Sequence, residues 1–98
     1  MLDQESIIRF LKEHKLDYHK KYAIDKLGLF GSFATHTHGT KSDIDIVYET
    51  SSKGLSFSQL FALENELEDA FSKKIDLVNI KYMNPLIKRK AIKDVIYV

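Results

Sequence analysis

The chain has 98 residues, 44% hydrophobic and 30% charged, with a formal net charge of +1. These ordinary globular values exclude a disordered tail, the length suits one domain burying about 65% of the surface its unfolded chain exposes, and zero cysteines exclude disulfide and thiolate chemistry. No apolar run approaches the roughly 18 residues of a membrane span, and Met1-Leu2-Asp3-Gln4-Glu5 lacks the basic flank of a signal peptide, so a single cytoplasmic domain over 1–98 with no membrane contact is expected.

Residues 3–14 place Ile7, Ile8 and Leu11, with Leu2 or Phe10, at helical spacing behind a capping Asp3. The polar stretch 17–25 reads as a connection or frayed continuation, and its Tyr18 and Tyr22 read as surface anchors. Ile24, Leu27, Leu29 and Phe30 predict a buried strand running into Gly31, with Gly28 allowing another backbone to come close. Residues 34–41 are loop-like after at most one helical turn, and a second strand is expected from near Asp43 to near Tyr48. After a break at Ser51, Ser52 and Gly54, Ser56 or Ser58 caps a helix whose stripe is Leu60, Leu63, Leu67, Ala70 and Phe71. Residues 75–80 predict a third strand, and Asn84-Pro85 opens a helix through about Lys93. Val95 to Val98 are expected to supply an edge strand or to fold back onto the core, and Tyr48, Tyr82 and Tyr97 are expected to close core edges. The basic residues of 81–98 read first as a solvated face, with an acidic partner or nucleotide phosphates as the alternative.

Chemistry concentrates in Gly31-Ser32 and, ten residues on, Ser42-Asp43-Ile44-Asp45-Ile46. Alternation along a strand puts Asp43 and Asp45 on one face and sends Ile44 and Ile46 to the other. Paired carboxylates repel unless a proton or cation intervenes, and their oxygens suit magnesium. Asp76 on another predicted strand can converge with them if the strands are neighbours. Gly31 permits a turn that exposes backbone N–H groups, and Ser32 adds a hydroxyl, so the pair can hold phosphates opposite a metal. Taken alone, each element also has a plain structural explanation: a turn for Gly31-Ser32 and a solvated strand entry for the two acids. The Walker loop and the kinase motifs are absent.

In Leu29-Phe30-Gly31-Ser32-Phe33-Ala34, the ten-residue interval, Ser42-Asp43-Ile44-Asp45-Ile46 and Ile75-Asp76-Leu77-Val78, the chain resembles the minimal nucleotidyltransferases of the DNA polymerase beta-like superfamily. The resemblance implies an α/β (α+β) minimal nucleotidyltransferase fold, a small mixed sheet flanked by helices. It also implies two Mg2+ ions on Asp43, Asp45 and Asp76 as catalytic acids, with ATP held by Gly31, Ser32, Lys41 and Ser42. Ala34-Thr35-His36 stands where many relatives carry alanine-arginine-glycine, and Phe33 at a position that is often arginine, leaving His36, His38 or Lys41 as substitute cations.

Similar minimal proteins pair with a helical HEPN-type toxin, and some transfer AMP to its tyrosine as antitoxins; that function is expected here. The alternatives are a toxin-masking module with little turnover, or transfer to a small molecule or RNA end. A chain this short leaves its acceptor pocket to a homodimer or to another protein. Without an aromatic-interleaved basic strand, direct nucleic-acid binding is not expected.

Overall fold

Asp3 starts the first helix in the computed structural model, which describes residues 2–51 and 54–98. Its carboxylate accepts a hydrogen bond from the Ser6 N–H at 2.9 Å, and Ser6 Oγ accepts from the Asp3 N–H at 3.2 Å, so two otherwise orphaned donors are satisfied. Helix α1 spans Gln4–Tyr22, well past the expected end. Of the stretch read as a connection or frayed continuation, residues 17–22 continue the helix, because the stripe of Ile7 and Leu11 runs on through Tyr18, which is fully buried. Asp17, His19, Lys20 and Lys21 occupy the exposed face and mask that stripe in the sequence. Ala23 ends the helix in the left-handed conformation, φ 56°, donating its N–H to the His19 carbonyl at 3.0 Å.

Tyr18 is therefore a core residue and not a surface anchor, while Tyr22 is half-buried. The Tyr18 hydroxyl has no hydrogen-bond partner among the described residues, and burial, followed by the nearby Glu66, raises its pKa well above the ordinary phenol range. Tyr18→Phe is expected to leave thermal stability unchanged or raise it by about 1 kcal/mol, since the removed hydroxyl is desolvated without return. A destabilisation above about 1 kcal/mol in thermal melts would show that the hydroxyl is bonded.

Strands β1 (Ile24–Phe30), β2 (Ile44–Thr50), β3 (Ile75–Asn79) and β4 (Ile96–Tyr97) form one mixed sheet in the order β3-β2-β1-β4. β1 is antiparallel to both β2 and β4, whereas β2 and β3 are parallel. A parallel neighbour cannot be reached by a tight turn, so helix α2 (Phe57–Phe71) makes the crossover. Ser56, rather than Ser58, caps α2, accepting from the Gln59 N–H at 3.2 Å while Gln59 Oε1 accepts from the Ser56 N–H at 3.1 Å. The expected break ahead of it includes Ser52, which lies outside the described residues.

Leu63 and Leu67 of α2 are fully buried, and Leu60 and Phe71 partly so. Ala70, expected in the same stripe, is exposed, because in the last turn it falls on the edge of the stripe away from Leu60 and Phe71. The main core packs Ile7, Leu11, Tyr18, Leu63 and Leu67 of the helices against Ile24, Leu27, Leu29, Ile44, Ile46, Tyr48 and Ile75 of the sheet. A register irregularity between Ile24 and Lys26 lets Ile24 and Leu27, three residues apart, both enter that core.

Helix α3 (Pro85–Asp94) opens as expected, with Asn84 Oδ1 accepting from the Leu86 N–H at 2.9 Å and Pro85 in the first turn. β4 then returns beside Gly28, where a Cβ would meet Val95 Cγ1 at 2.9 Å and the Ile96 carbonyl at 3.0 Å. Tyr48 is buried as expected. Tyr82 and Tyr97 do not close the core: they are 74% and 45% exposed, the first because a 3₁₀ turn over Ile80–Tyr82 buries Ile80 and turns Tyr82 outward. Among the described residues no helix is long and apolar enough to cross a membrane.

Candidate active site

Strand direction gathers the polar residues of interest at one end of the sheet. The end of β1 meets the start of β2 because the two are antiparallel, and the start of β3 lies there too because β3 runs parallel to β2. Phe30, the last residue of β1, is the register partner of Asp45, and Asp45 is the register partner of Asp76. Gly31 follows Phe30, so Gly31, Asp45 and Asp76 occupy adjoining positions. Asp43 lies just ahead of β2 and not within it, two residues before Asp45.

Alternation divides the roles. Ile44 and Ile46 are fully buried in the main core, whereas Asp45 is half-buried on the other face and Asp76 and Asp43 are exposed. Burial, then the charge of Asp76, then that of Asp43, push the Asp45 carboxyl up to about 6. Asp76 and Asp43 thus both act electrostatically on Asp45. Among the described residues, no group of three or more His, Cys, Asp or Glu side chains stands ready-made as a metal centre. Carboxylates that repel one another stay spread until a cation lies between them. The donor chemistry nevertheless fits a hard divalent cation: only oxygens, from three carboxylates, with one of them raised by burial and by the charges of the other two.

Gly31 is required twice over. Its φ of +73° is a left-handed conformation, and a Cβ at this position would collide with Asp45 Oδ2. The Ala34 and Thr35 N–H groups both donate to the Gly31 carbonyl, at 3.1 and 3.2 Å, closing a single 3₁₀ turn over Gly31–Phe33. Ser32 sits half-buried in that turn, its carbonyl accepting from the Thr37 N–H at 2.9 Å. Ser42 Oγ accepts from the Gly39 N–H at 2.9 Å, so this hydroxyl shapes the loop, and Lys41 beside it is exposed.

The loop histidines do not occupy equivalent places. Phe33 is buried and stacks on the His38 ring with centroids 4.0 Å apart, so His38 packs against the core edge; His36 is exposed with φ 59°. A cleft of about 180 Å³ opens beside the turn, lined by Phe30, Gly31, Ile87, Lys90, Ala91 and Asp94. In the sequence Lys90 is one of several basic residues of 81–98, read first as a solvated face and second as a contact for an acidic partner or nucleotide phosphates, with nothing to single it out. Its distinguishing property is the fold's placement of α3 beside Gly31.

Comparison with known proteins agrees with this architecture. A protein of Methanocaldococcus jannaschii, MJ0128, provisionally named a protein adenylyltransferase, is 40% identical over 93 residues, covering 90% of each chain. The protein adenylyltransferase MntA of Thermococcus cleftensis is 28% identical over 98 residues, covering 100% of this chain and 98% of its own. A crystal structure of a toxin-antitoxin with AMP-PNP shares the fold, with a TM-score of 0.72 at 22% identity over 98% of this chain and 72% of that one. The family described as Polymerase beta, Nucleotidyltransferase matches residues 5–98, and this chain belongs to that family of nucleotidyltransferases.

Proposed function

We propose that the chain transfers AMP from ATP to a tyrosine hydroxyl of a helical HEPN-type toxin and so acts as its antitoxin. The observation that carries this reading is the setting of Asp45, with Gly31 against its carboxylate on one side and Asp76 in register on the other. The relatives named for protein adenylylation, and the fold shared with a toxin-antitoxin bound to AMP-PNP, support the choice of donor, acceptor class and partner.

Asp43 and Asp45 would hold two magnesium ions, with Asp76 completing the set. Magnesium, when bound, neutralises phosphate charge and lowers the pKa of the acceptor hydroxyl. The Gly31 backbone and the Ser32 hydroxyl orient the triphosphate, and Lys90, at the edge of the adjoining cleft, supplies a cation that Phe33 cannot. Lys41 and Ser42 border the segment that carries Asp43; Ser42 acts there by holding the loop. The acceptor oxygen bonds to the α-phosphorus, the bond from that phosphorus to the bridging oxygen breaks, and pyrophosphate leaves. Asp76, exposed beside Asp45, takes the hydroxyl proton.

The test is incubation of the chain with magnesium and each nucleoside triphosphate, with and without any HEPN-type helical protein encoded in a neighbouring gene, read by intact mass. One or more AMP additions on the neighbour with ATP, absent with Asp43→Ala, is the expected result. Metal-dependent ATP binding with no adduct on any protein would favour a masking module, a reading that the buried Phe33 at a common arginine position favours. An adduct on RNA or a small acceptor instead would move the acceptor class.

A further inference from the structure

We propose that Lys73 is a positioning residue that clasps the Asp43 segment onto the corner leading to Asp76. The inference builds on the assignment of these acids as metal ligands. Asp43 alone among the three lies outside a strand, so sheet pairing does not hold it. Its two neighbours are held instead. Lys73 Nζ donates to the Thr40 carbonyl at 2.9 Å and to the Ser42 carbonyl at 3.0 Å, and the Ile44 N–H donates to the Lys74 carbonyl at 3.0 Å. Asp43 is thus bracketed on both sides by bonds to consecutive residues of one corner.

That corner is itself anchored. Ser72 closes α2 in the left-handed conformation, φ 53°, with its N–H on the Glu68 carbonyl at 2.8 Å, and the Ile75 N–H donates to Glu68 Oε2 at 3.4 Å. Asp76 follows Lys73 by three residues. The ammonium group carries three donors and two of them are committed to carbonyls, in bonds strengthened by its charge. Lys73 is half-buried where Lys41 and Lys74 are exposed, so its head group is held at this contact. The clasp sets where Asp43 stands relative to Asp76 before any cation arrives, and residues that orient metal ligands in this way tune affinity by roughly 10- to 100-fold.

The test uses the full metal-free chain and Mn2+ as the probe ion. In Lys73→Met, amide hydrogen exchange over residues 40–44 is expected to accelerate about tenfold while protection in β1 stays unchanged, and Mn2+ affinity read by electron paramagnetic resonance is expected to fall about tenfold. Lys73→Arg should restore most of both. Lys74→Met should change neither, because Lys74 holds Ile44 through its backbone. Unchanged exchange and unchanged Mn2+ affinity in Lys73→Met would overturn the proposal. So would exchange that rises equally throughout the sheet, or failure of the variant to fold, since either makes Lys73 a general structural support. Exchange and cation binding are read without turnover, so they decide the role of Lys73 even if no nucleotide is transferred.

Discussion

Asp45→Asn is expected to reduce nucleotidyl transfer by about a thousandfold or more while raising the melting temperature of the metal-free chain at neutral pH. The first effect follows if the carboxylate holds metal, because such charge stabilisation is worth several kcal/mol and each 1.4 kcal/mol is about a factor of ten in rate. The second follows from the cost of ionising this group where it sits. Burial, Asp76 and Asp43 raise its folded pKa to about 6 from 3.8. The favourable contribution of the protonated form is fully present below about 3.8 and lost as pH rises through about 6. An amide of nearly the same shape carries no such penalty. The difference in melting temperature between Asp45→Asn and the parent should therefore be near zero at the acid end of that window, grow across it and level off above it. Magnesium with ATP at neutral pH should reverse the order, since it stabilises only the protein that binds it. A melting temperature for Asp45→Asn that falls below the parent's at neutral pH would place Asp45 in a favourable bond instead.

Gly31→Ala should be damaging in both respects. An L-residue at φ +73° carries a cost of about 1–2 kcal/mol, and for a domain of this size each kcal/mol lowers the melting temperature by about 4–8 °C. The new methyl group also runs into Asp45 Oδ2, so either the turn or the carboxylate must move. Displacement of a reacting group by about 1 Å is enough for a hundredfold loss of rate, and that is the expected size of the activity defect. Thermal melts and AMP-transfer rates read the two effects separately. Gly31→Ala with parental stability and parental activity would show that neither the backbone conformation nor the contact with Asp45 is needed.

Much of the geometry of the candidate site is legible in the sequence because its signals are local. Alternation around Ile44 and Ile46 puts Asp45 on the open face, and the glycine after an apolar run marks the turn. Asp76 needed one further fact, the parallel pairing that puts β3 in register beside β2; a helix between two strands suggests it and only the fold supplies the register. What escaped depends on distant contacts. Tyr18 looked polar because its neighbours are charged, and its burial is decided by packing across the sheet. Ala70 had the right periodicity and the wrong place on the stripe. Lys73 carries no motif at all; its meaning lies in two carbonyls more than thirty residues away in sequence. Lys90 likewise becomes notable only once α3 is set against Gly31.

The central claim is that the end of the sheet bearing Asp43, Asp45 and Asp76 is the metal and nucleotide site. Anomalous diffraction from crystals of the full chain grown with Mn2+ and a non-hydrolysable ATP analogue tests it most directly. Manganese peaks at Asp43, Asp45 and Asp76, with analogue phosphates at Gly31 and Ser32, are the expected result. Manganese peaks confined to His36 and His38, or an ordered analogue with no metal at the three acids, would contradict it.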